Sequence, residues 1–248
     1  MTWYEESFGA DYLALYPHRD DAEAERDVEQ LVALIAPPPD RPLLDLGCGA
    51  GRHLLALHRR GFVDLTGIDL SQDLLDTAAQ RFATEGTDAI RLIRSDMRRI
   101  PFVSHFSTIL SMFTSFGYFA TSAEDARMLH AVHDALCPGG AFLLDTLNRR
   151  WTIEHLIPSE RRTIGDLELD IARTITPDGT RVEKETHVAG IGPERRRYRE
   201  SVRMYEPEEL HRMLHRAGFE SIKLYGSLAG AAIDAASRRT IAVARRRG

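Results

Sequence analysis

The sequence predicts an α/β protein: a mostly parallel sheet with helices on both faces, plus a small antiparallel β insertion. Two observations carry this reading. Apolar strand-length runs alternate with helix-period segments between about residues 42 and 144, and parallel strands need such helical crossovers. Between about residues 160 and 205 the helical segments stop, and period-two runs separated by turn residues replace them.

Each element has its own signal. Residues 1–19 are rich in aromatics (Trp3, Tyr4, Phe8, Tyr12, Tyr16) and read as irregular. Val28, Leu31, Val32 and Ile35 share one face of a helix from about Asp20 to Ile35, which Pro37-Pro38-Pro39 stops. Strand one lies at about 42–46, and a helix from Arg52 to Arg60 ends at Gly61, a good left-handed terminator. Strand two lies at about 64–69. Ser71 can cap a helix bearing Leu74, Leu75, Ala78, Ala79 and Phe82 that ends near Gly86. Strands three and four fall at about 89–94 and 106–111. Thr121 and Glu124 have capping-box spacing for a helix carrying Met128, Leu129, Val132 and Leu136. Pro138-Gly139-Gly140 ends it, and strand five follows from Ala141 to Leu144.

Beyond residue 150 the pattern changes. Apolar residues at 167, 169, 171 and 175 have strand period, Pro177-Asp178-Gly179-Thr180 is a turn signal, and 181–189 alternates again. A further polar alternation covers 195–205. Pro207 opens and Gly218 closes a helix over 207–217, and strands at about 220–225 and 239–244 complete the sheet.

Bulk properties exclude several classes. A chain of 248 residues with 43% apolar and 28% charged residues suits one sizeable globular domain, with room for a small lobe. A net charge of −5 offers no general attraction to nucleic acid or an anionic membrane. The clusters Arg195-Arg196-Arg197 and Arg245-Arg246-Arg247 read as solvated surface or chain tail. Two cysteines, Cys48 and Cys137, imply no disulfide framework and fit a reducing, cytoplasmic compartment. The N-terminus carries no signal-peptide pattern, and no apolar run approaches the roughly 20 residues of a membrane helix.

The chemistry concentrates in Leu43-Leu44-Asp45-Leu46-Gly47-Cys48-Gly49-Ala50-Gly51-Arg52 and Leu65-Thr66-Gly67-Ile68-Asp69-Leu70. Gly47, Gly49 and Gly51 occupy the first strand-to-helix turn, where open parallel sheets bind ligands. Glycine there permits left-handed backbone and removes side chains that would block a ligand. Asp45 can meet an ammonium group directly or through water, or cap the loop amides. Asp69 can accept hydrogen bonds from both hydroxyls of a ribose, or cap the helix after Leu70. The third glycine lies too close for G-x-G-x-x-G, which disfavours a dinucleotide and leaves S-adenosylmethionine (SAM) as the nucleoside cofactor these residue types suit. Asp96 can accept from the adenine amino group and Met97 can pack on its ring, or Asp96 is a plain loop acid. Cys48 reads as a small filler, with no His or Asn placeable beside it.

With Asp45–His53, Gly67–Ser71, Asp96-Met97 and Leu136–Gly140 in this order, the chain resembles the class I SAM-dependent methyltransferases. The resemblance covers about residues 20–150 and 206–245. It implies a Rossmann-like seven-stranded sheet whose last strand is antiparallel. Ser111–Phe119 looks like the strand-four segment of small-molecule members, among them sugar N,N-dimethyltransferases and glycine-type N-methyltransferases. Cys137 stands where the family often has Lys. Carried onto matching positions, the resemblance places Gly47, Gly49 and Asp45 at the methionine portion, Asp69 at the ribose and Asp96 and Met97 at adenine, with Cys48 and Leu70 also binding the cofactor. Ser111 and Met112 fall beneath the sulfonium, and Tyr12 and Arg19 close over the cofactor. The insertion in such members covers the substrate pocket and can mediate a homodimer.

The expected organisation is an N-terminal lid and helix over 1–36, a SAM-binding core over 37–150 and 206–248, and a β insertion over 151–205 covering the acceptor pocket. The expected reaction moves a methyl group to N or O of a small molecule, with no metal, no nucleic acid and no membrane. Alternatives are a nucleic-acid methyltransferase, for which no basic face or Asn/Asp-Pro-Pro-aromatic motif is evident, and a noncatalytic SAM-binding protein. Candidate catalytic groups are Tyr118, His18 and Arg199, with Tyr4 and Tyr205 as further polar neighbours of an acceptor. The histidine pairs His211/His215 and His130/His133 lack a third ligand, so no metal is expected.

Overall fold

A computed structural model of the chain describes residues 2–9, 11–17 and 20–248. The helix starts follow the capping signals. α3 (Asp21–Ile35) begins where the Asp20 carboxylate accepts from the Glu23 amide, 2.8 Å away. It ends at Ala36 in left-handed conformation, before the prolines. β1 (Leu43–Leu46) enters the glycine turn, and α4 (Arg52–Arg59) leaves it. β2 (Leu65–Asp69) is followed by α5 (Gln72–Thr84), which Ser71 caps through the Leu74 amide. β3 (Ile90–Arg94) and β4 (Phe106–Ser111) precede α6 (Ser122–Ala135), whose Thr121/Glu124 capping box is formed. β5 spans Leu136–Leu147, longer than expected, because the chain turns extended at Leu136 and pairs with Phe106 before a register shift.

Two segments depart from the expectation. Residues near the N-terminus form two short helices, α1 (Trp3–Ser7) and α2 (Tyr12–Leu15), because their aromatic rings have surfaces to pack on. α7 (Arg149–Glu154), capped by Asn148, had no apolar periodicity to betray it. The insertion then supplies β6 (Ser159–Ile164), β7 (Leu167–Ile175), β8 (Arg181–Gly190) and β9 (Gly192–Arg203) as an antiparallel four-stranded sheet in the order 6-7-8-9. A tight turn at Gly165 separates β6 from β7, which carries the apolar residues at 167, 169, 171 and 175. α8 (Pro207–Arg216), β10 (Phe219–Tyr225) and β11 (Arg239–Arg246) return to the main sheet.

That main sheet has seven strands in the order β10-β11-β5-β4-β1-β2-β3. All pairs are parallel except those made by β11, which runs antiparallel to both β5 and β10. The last strand is therefore the antiparallel one, as expected. Strand order reverses between β1 and β4, so the turns after these two strands diverge to opposite faces and leave a crevice at their carboxyl ends. One apolar cluster joins α6 and α8 to one face of the sheet (Phe106, Met128, Leu129, Phe142, Leu214, Phe219), and a second joins α3, α4 and α5 to the other (Val28, Leu31, Leu54, Leu57, Phe82). A third, smaller cluster packs Leu15 of α2 on Leu169, Ile171 and Val188 of the insertion. Among the described residues no helix is long and apolar enough to cross a membrane.

Gly51 shows how tightly the first turn is built. Its φ is +74°, and a Cβ there would lie 2.5 Å from Phe82 of α5. Gly51→Ala is expected to cost about 2 kcal/mol or more, from backbone strain plus overpacking. Thermal unfolding should report it as a Tm roughly 4–8 °C lower.

Candidate active site

The crevice at the carboxyl ends of β1, β2 and β4 opens into a cavity of about 410 Å3. That lies within the ~300–1,000 Å3 of small-molecule pockets. Its floor is the glycine turn. The Gly47 and Cys48 amides both donate to the Ile68 carbonyl, at 2.8 and 3.1 Å, and so lock the turn to the end of β2. Gly47 has φ +81°, and a Cβ on it would come within 2.7 Å of Ser115 Oγ. Gly49 has φ +53° and almost nothing near its missing side chain, so its backbone is open to a ligand.

Asp69 ends β2 on the cavity wall. Its Oδ2 accepts from the Gly49 amide at 2.8 Å and its Oδ1 from the Ser71 amide at 2.9 Å. The helix itself is capped by Ser71, and Asp69 ties that cap residue to the glycine turn. Each oxygen keeps lone-pair capacity for a further donor in the cavity. Burial pushes this carboxyl above its ordinary value, against the pull of those amides. Asp96 and Met97 line the same region. The Asp96 carboxylate is gripped by Arg98, whose Nε lies 3.0 and 3.1 Å from its two oxygens. Burial alone would raise Asp96, but Arg98 outweighs it and leaves the carboxyl below the usual range.

Asp45 does not line the cavity; it lies wholly buried behind the turn, with Oδ2 lacking any hydrogen-bond partner among the described residues. Burial, reinforced by the nearby Asp69 charge and opposed by His53 and Arg52, lifts it to about 6. Ser111 is also wholly buried and off the cavity, while Met112 beside it faces in. Cys48 lines the floor, and burial holds its thiol well above the usual value, which suits a filler.

Aromatic side chains build the other half of the cavity. Tyr4, Phe8, Tyr12 and Leu13 of the N-terminal helices face Phe113, Tyr118 and Phe119 of the loop after β4. Tyr118 packs at ring-centroid distances of 4.9 Å from Trp3 and 5.5 Å from Phe8. Phe113 sits under the Arg52 guanidinium at 4.2 Å and has φ +53°. Its amide donates to the Asp145 carboxylate at 3.0 Å, which holds the strained turn.

Several expected site residues stand elsewhere. Arg199 is exposed and turned onto Glu185, 3.1 Å away, because its strand alternation carries it to the outer surface. Its backbone carbonyl accepts from Ser7 Oγ at 2.6 Å, so it supports α1 rather than the cavity. Tyr205 is fully buried, its hydroxyl donating to Asp125 at 2.6 Å. His18 and Arg19 lie outside the described residues. No residue of the four-stranded sheet is among the described lining of this cavity; the sheet carries α1 and α2, and these line it. Sequence reasoning missed Arg52, His53, Phe113 and Ser115 as lining residues. The first two follow Gly51 directly and the others lie in the strand-four segment, so adjacency to the motifs was the available signal. No group of three His, Cys, Asp or Glu residues able to hold a metal occurs among the described residues.

Known proteins resemble the chain in sequence and in fold. Residues 43–140 match the family model described as a methyltransferase domain. Over 209 residues the chain is 28% identical to dTDP-3-amino-3,4,6-trideoxy-alpha-D-glucopyranose N,N-dimethyltransferase of Streptomyces venezuelae, covering 82% of this chain and 81% of that relative. In fold it is similar to the CcbJ methyltransferase of Streptomyces caelestis, with TM-score 0.80, 20% identity and 98% of both chains covered. It also resembles SAM-bound CalS10, an amino pentose methyltransferase of Micromonospora echinaspora involved in calicheamicin biosynthesis. There the TM-score is 0.68 at 25% identity, over 95% of this chain and 96% of the other. The chain is a class I SAM-dependent methyltransferase, and SAM is its cofactor.

The buried Asp45 yields a pH signature. A carboxyl raised in the folded state holds its proton more tightly there, so its stabilising contribution is complete below about 3.8 and is lost as pH rises through about 6. Asp45→Asn removes that loss. Relative to wild type, its stability should rise by about 1–3 kcal/mol between pH 4 and 7.5, read by paired denaturant melts without ligand.

Proposed function

We propose that this enzyme N-methylates a small amino-bearing acceptor, and that the acceptor is an amino sugar. The observation that carries this is the reach of the similarity. It extends well beyond the cofactor-binding residues 43–140, over 82% of the chain, to a relative named as an amino-sugar N,N-dimethyltransferase. The amino pentose methyltransferase aligns over nearly the whole fold as well.

The chemistry of the cavity supports the same reading. Bound SAM supplies a methyl group on a cationic sulfur, already activated for transfer. The chain's task is then to align an acceptor, exclude water and tolerate charge. The Gly47–Gly49 backbone and Asp69 hold the nucleoside side. The rings of Tyr4, Phe8, Tyr118 and Phe119 close the opposite side. A neutral amine attacks with its own lone pair and needs no general base. Positive charge grows on its nitrogen as the new bond forms, and aromatic faces attract such charge. Tyr118 is the ring we place nearest the acceptor.

A nucleic-acid acceptor is disfavoured by the arginines of β9. Arg195, Arg196, Arg197 and Arg199 each pair with a carboxylate of Asp170, Asp11 or Glu185, which offsets much of the charge of that run.

Incubation with SAM and a dTDP-linked amino sugar should release S-adenosylhomocysteine, whereas the matching hydroxyl sugar should not; equal release from both would reject the amine reading. Separately, Asp69→Ala should weaken SAM binding by about 1–3 kcal/mol in calorimetry, through loss of carboxylate hydrogen bonds. An unaltered affinity would remove Asp69 from the cofactor site.

A further inference from the structure

The loop that carries Tyr118 and Phe119 into the cavity has no secondary structure of its own, yet each of its three carbonyls from 117 to 119 is taken. The Gly117 carbonyl accepts from the Arg203 amide at 2.7 Å and from Arg181 Nη2 at 3.3 Å. The Tyr118 carbonyl accepts from Trp3 Nε1 at 3.3 Å. The Phe119 carbonyl accepts from Arg181 Nη1 at 3.0 Å. Backbone groups must find partners, so a loop without a ladder is placed by whatever supplies them. Arg181 supplies two of the four bonds, and it comes from the four-stranded sheet.

The other side of the same guanidinium is fixed to its own sheet. Nε donates to Ser201 Oγ at 2.9 Å and Nη2 to the Ser201 carbonyl at 2.7 Å. The fork thus spans two strands of the insertion and two carbonyls of the loop. Gly117 allows the close approach: its φ is +92°, and a Cβ there would sit 2.3 Å from the Arg203 carbonyl oxygen. Beneath lies buried Asp125, held by the Tyr205 hydroxyl, with Oδ1 unpartnered among the described residues; its charge faces Arg181 and Arg203.

We propose that Arg181 is a positioning residue for the methyl acceptor, through which the four-stranded sheet sets Tyr118 and Phe119 against the N-terminal helices. This rests on the acceptor side of the cavity being the aromatic half, as argued above. It gives the insertion a role in turnover although none of its described residues lines the cavity. The planar fork matters more than the charge. A Lys ammonium keeps the charge opposite Asp125 but lacks the rigid spread of donors that reaches Gly117, Phe119 and Ser201 together.

The test has a readout independent of any acceptor. The chain has two tryptophans, Trp3 and Trp151, and only Trp3 touches Tyr118. In a Trp151→Phe background, Trp3 fluorescence and its quenching by acrylamide report how the loop and α1 are seated. Arg181→Lys and Arg181→Ala should each raise the quenching constant at least twofold, while SAM affinity by calorimetry stays within threefold of the parent. With SAM and the dTDP-linked amino sugar, KM for the sugar should rise at least tenfold and KM for SAM should not. Unchanged Trp3 quenching in a folded variant would overturn the proposal, as would Arg181→Lys behaving like the parent. SAM affinity falling tenfold with quenching would also overturn it, since that marks general loosening. If the parent does not methylate the sugar, the amino-sugar reading fails, and the quenching and SAM-binding arms still decide the role of Arg181. Should Arg181→Ala fail to fold, Arg181→Lys alone carries the comparison.

Discussion

The close approach of two loops across the sheet's reversal point is the constraint on which the rest depends. Gly47, at the end of β1, lies so near Ser115 that any side chain would collide. That contact sets the floor of the cavity. From it follow the locking of the turn to the end of β2 through Ile68, and the placement of Asp69 where one carboxylate joins the glycine turn to the start of α5. A cavity floor built this way is rigid, because backbone bonds rather than side-chain rotamers define it.

The opposite side is assembled differently. Its walls are aromatic rings on short helices and on a loop, held by few backbone ladders. The short helices lean on the four-stranded sheet through Leu15 and through the bond from Ser7 to the Arg199 carbonyl. The loop leans on Asp145 at one end and Arg181 at the other. With the cofactor and acceptor in the halves proposed above, a rigid floor and a wall with borrowed support suit an enzyme whose cofactor is constant and whose acceptor differs among relatives. They also explain why a sheet that contributes no described lining residue is retained as a large part of the chain.

Buried charge is distributed unevenly between these halves. Asp45, Asp69 and Asp125 are all raised by burial, the first and last to about 6. Asp69 offsets its burial with two amide donors, whereas Asp45 and Asp125 each keep one oxygen without a partner among the described residues, Asp125 being held at the other by a tyrosine hydroxyl.

The sequence by itself determined the seven-stranded sheet, the capped helices and the glycine turn with Asp69 at the next strand end. Each depends on neighbours within a few residues, which periodicity, caps and glycines encode directly. Tertiary structure decided what those rules do not reach. Arg199 and Tyr205 share a strand-like segment, yet one faces solvent and the other the core. Asp45 and Ser111 belong to motif segments but lie behind the wall, since a strand sends alternate side chains to opposite faces. The folding of the aromatic N-terminus into helices, and the grip of Arg181 on a loop 62 to 64 positions away, arise only when distant surfaces meet. Side-chain direction and long-range contact are properties of packing, and no local pattern in the chain specifies them.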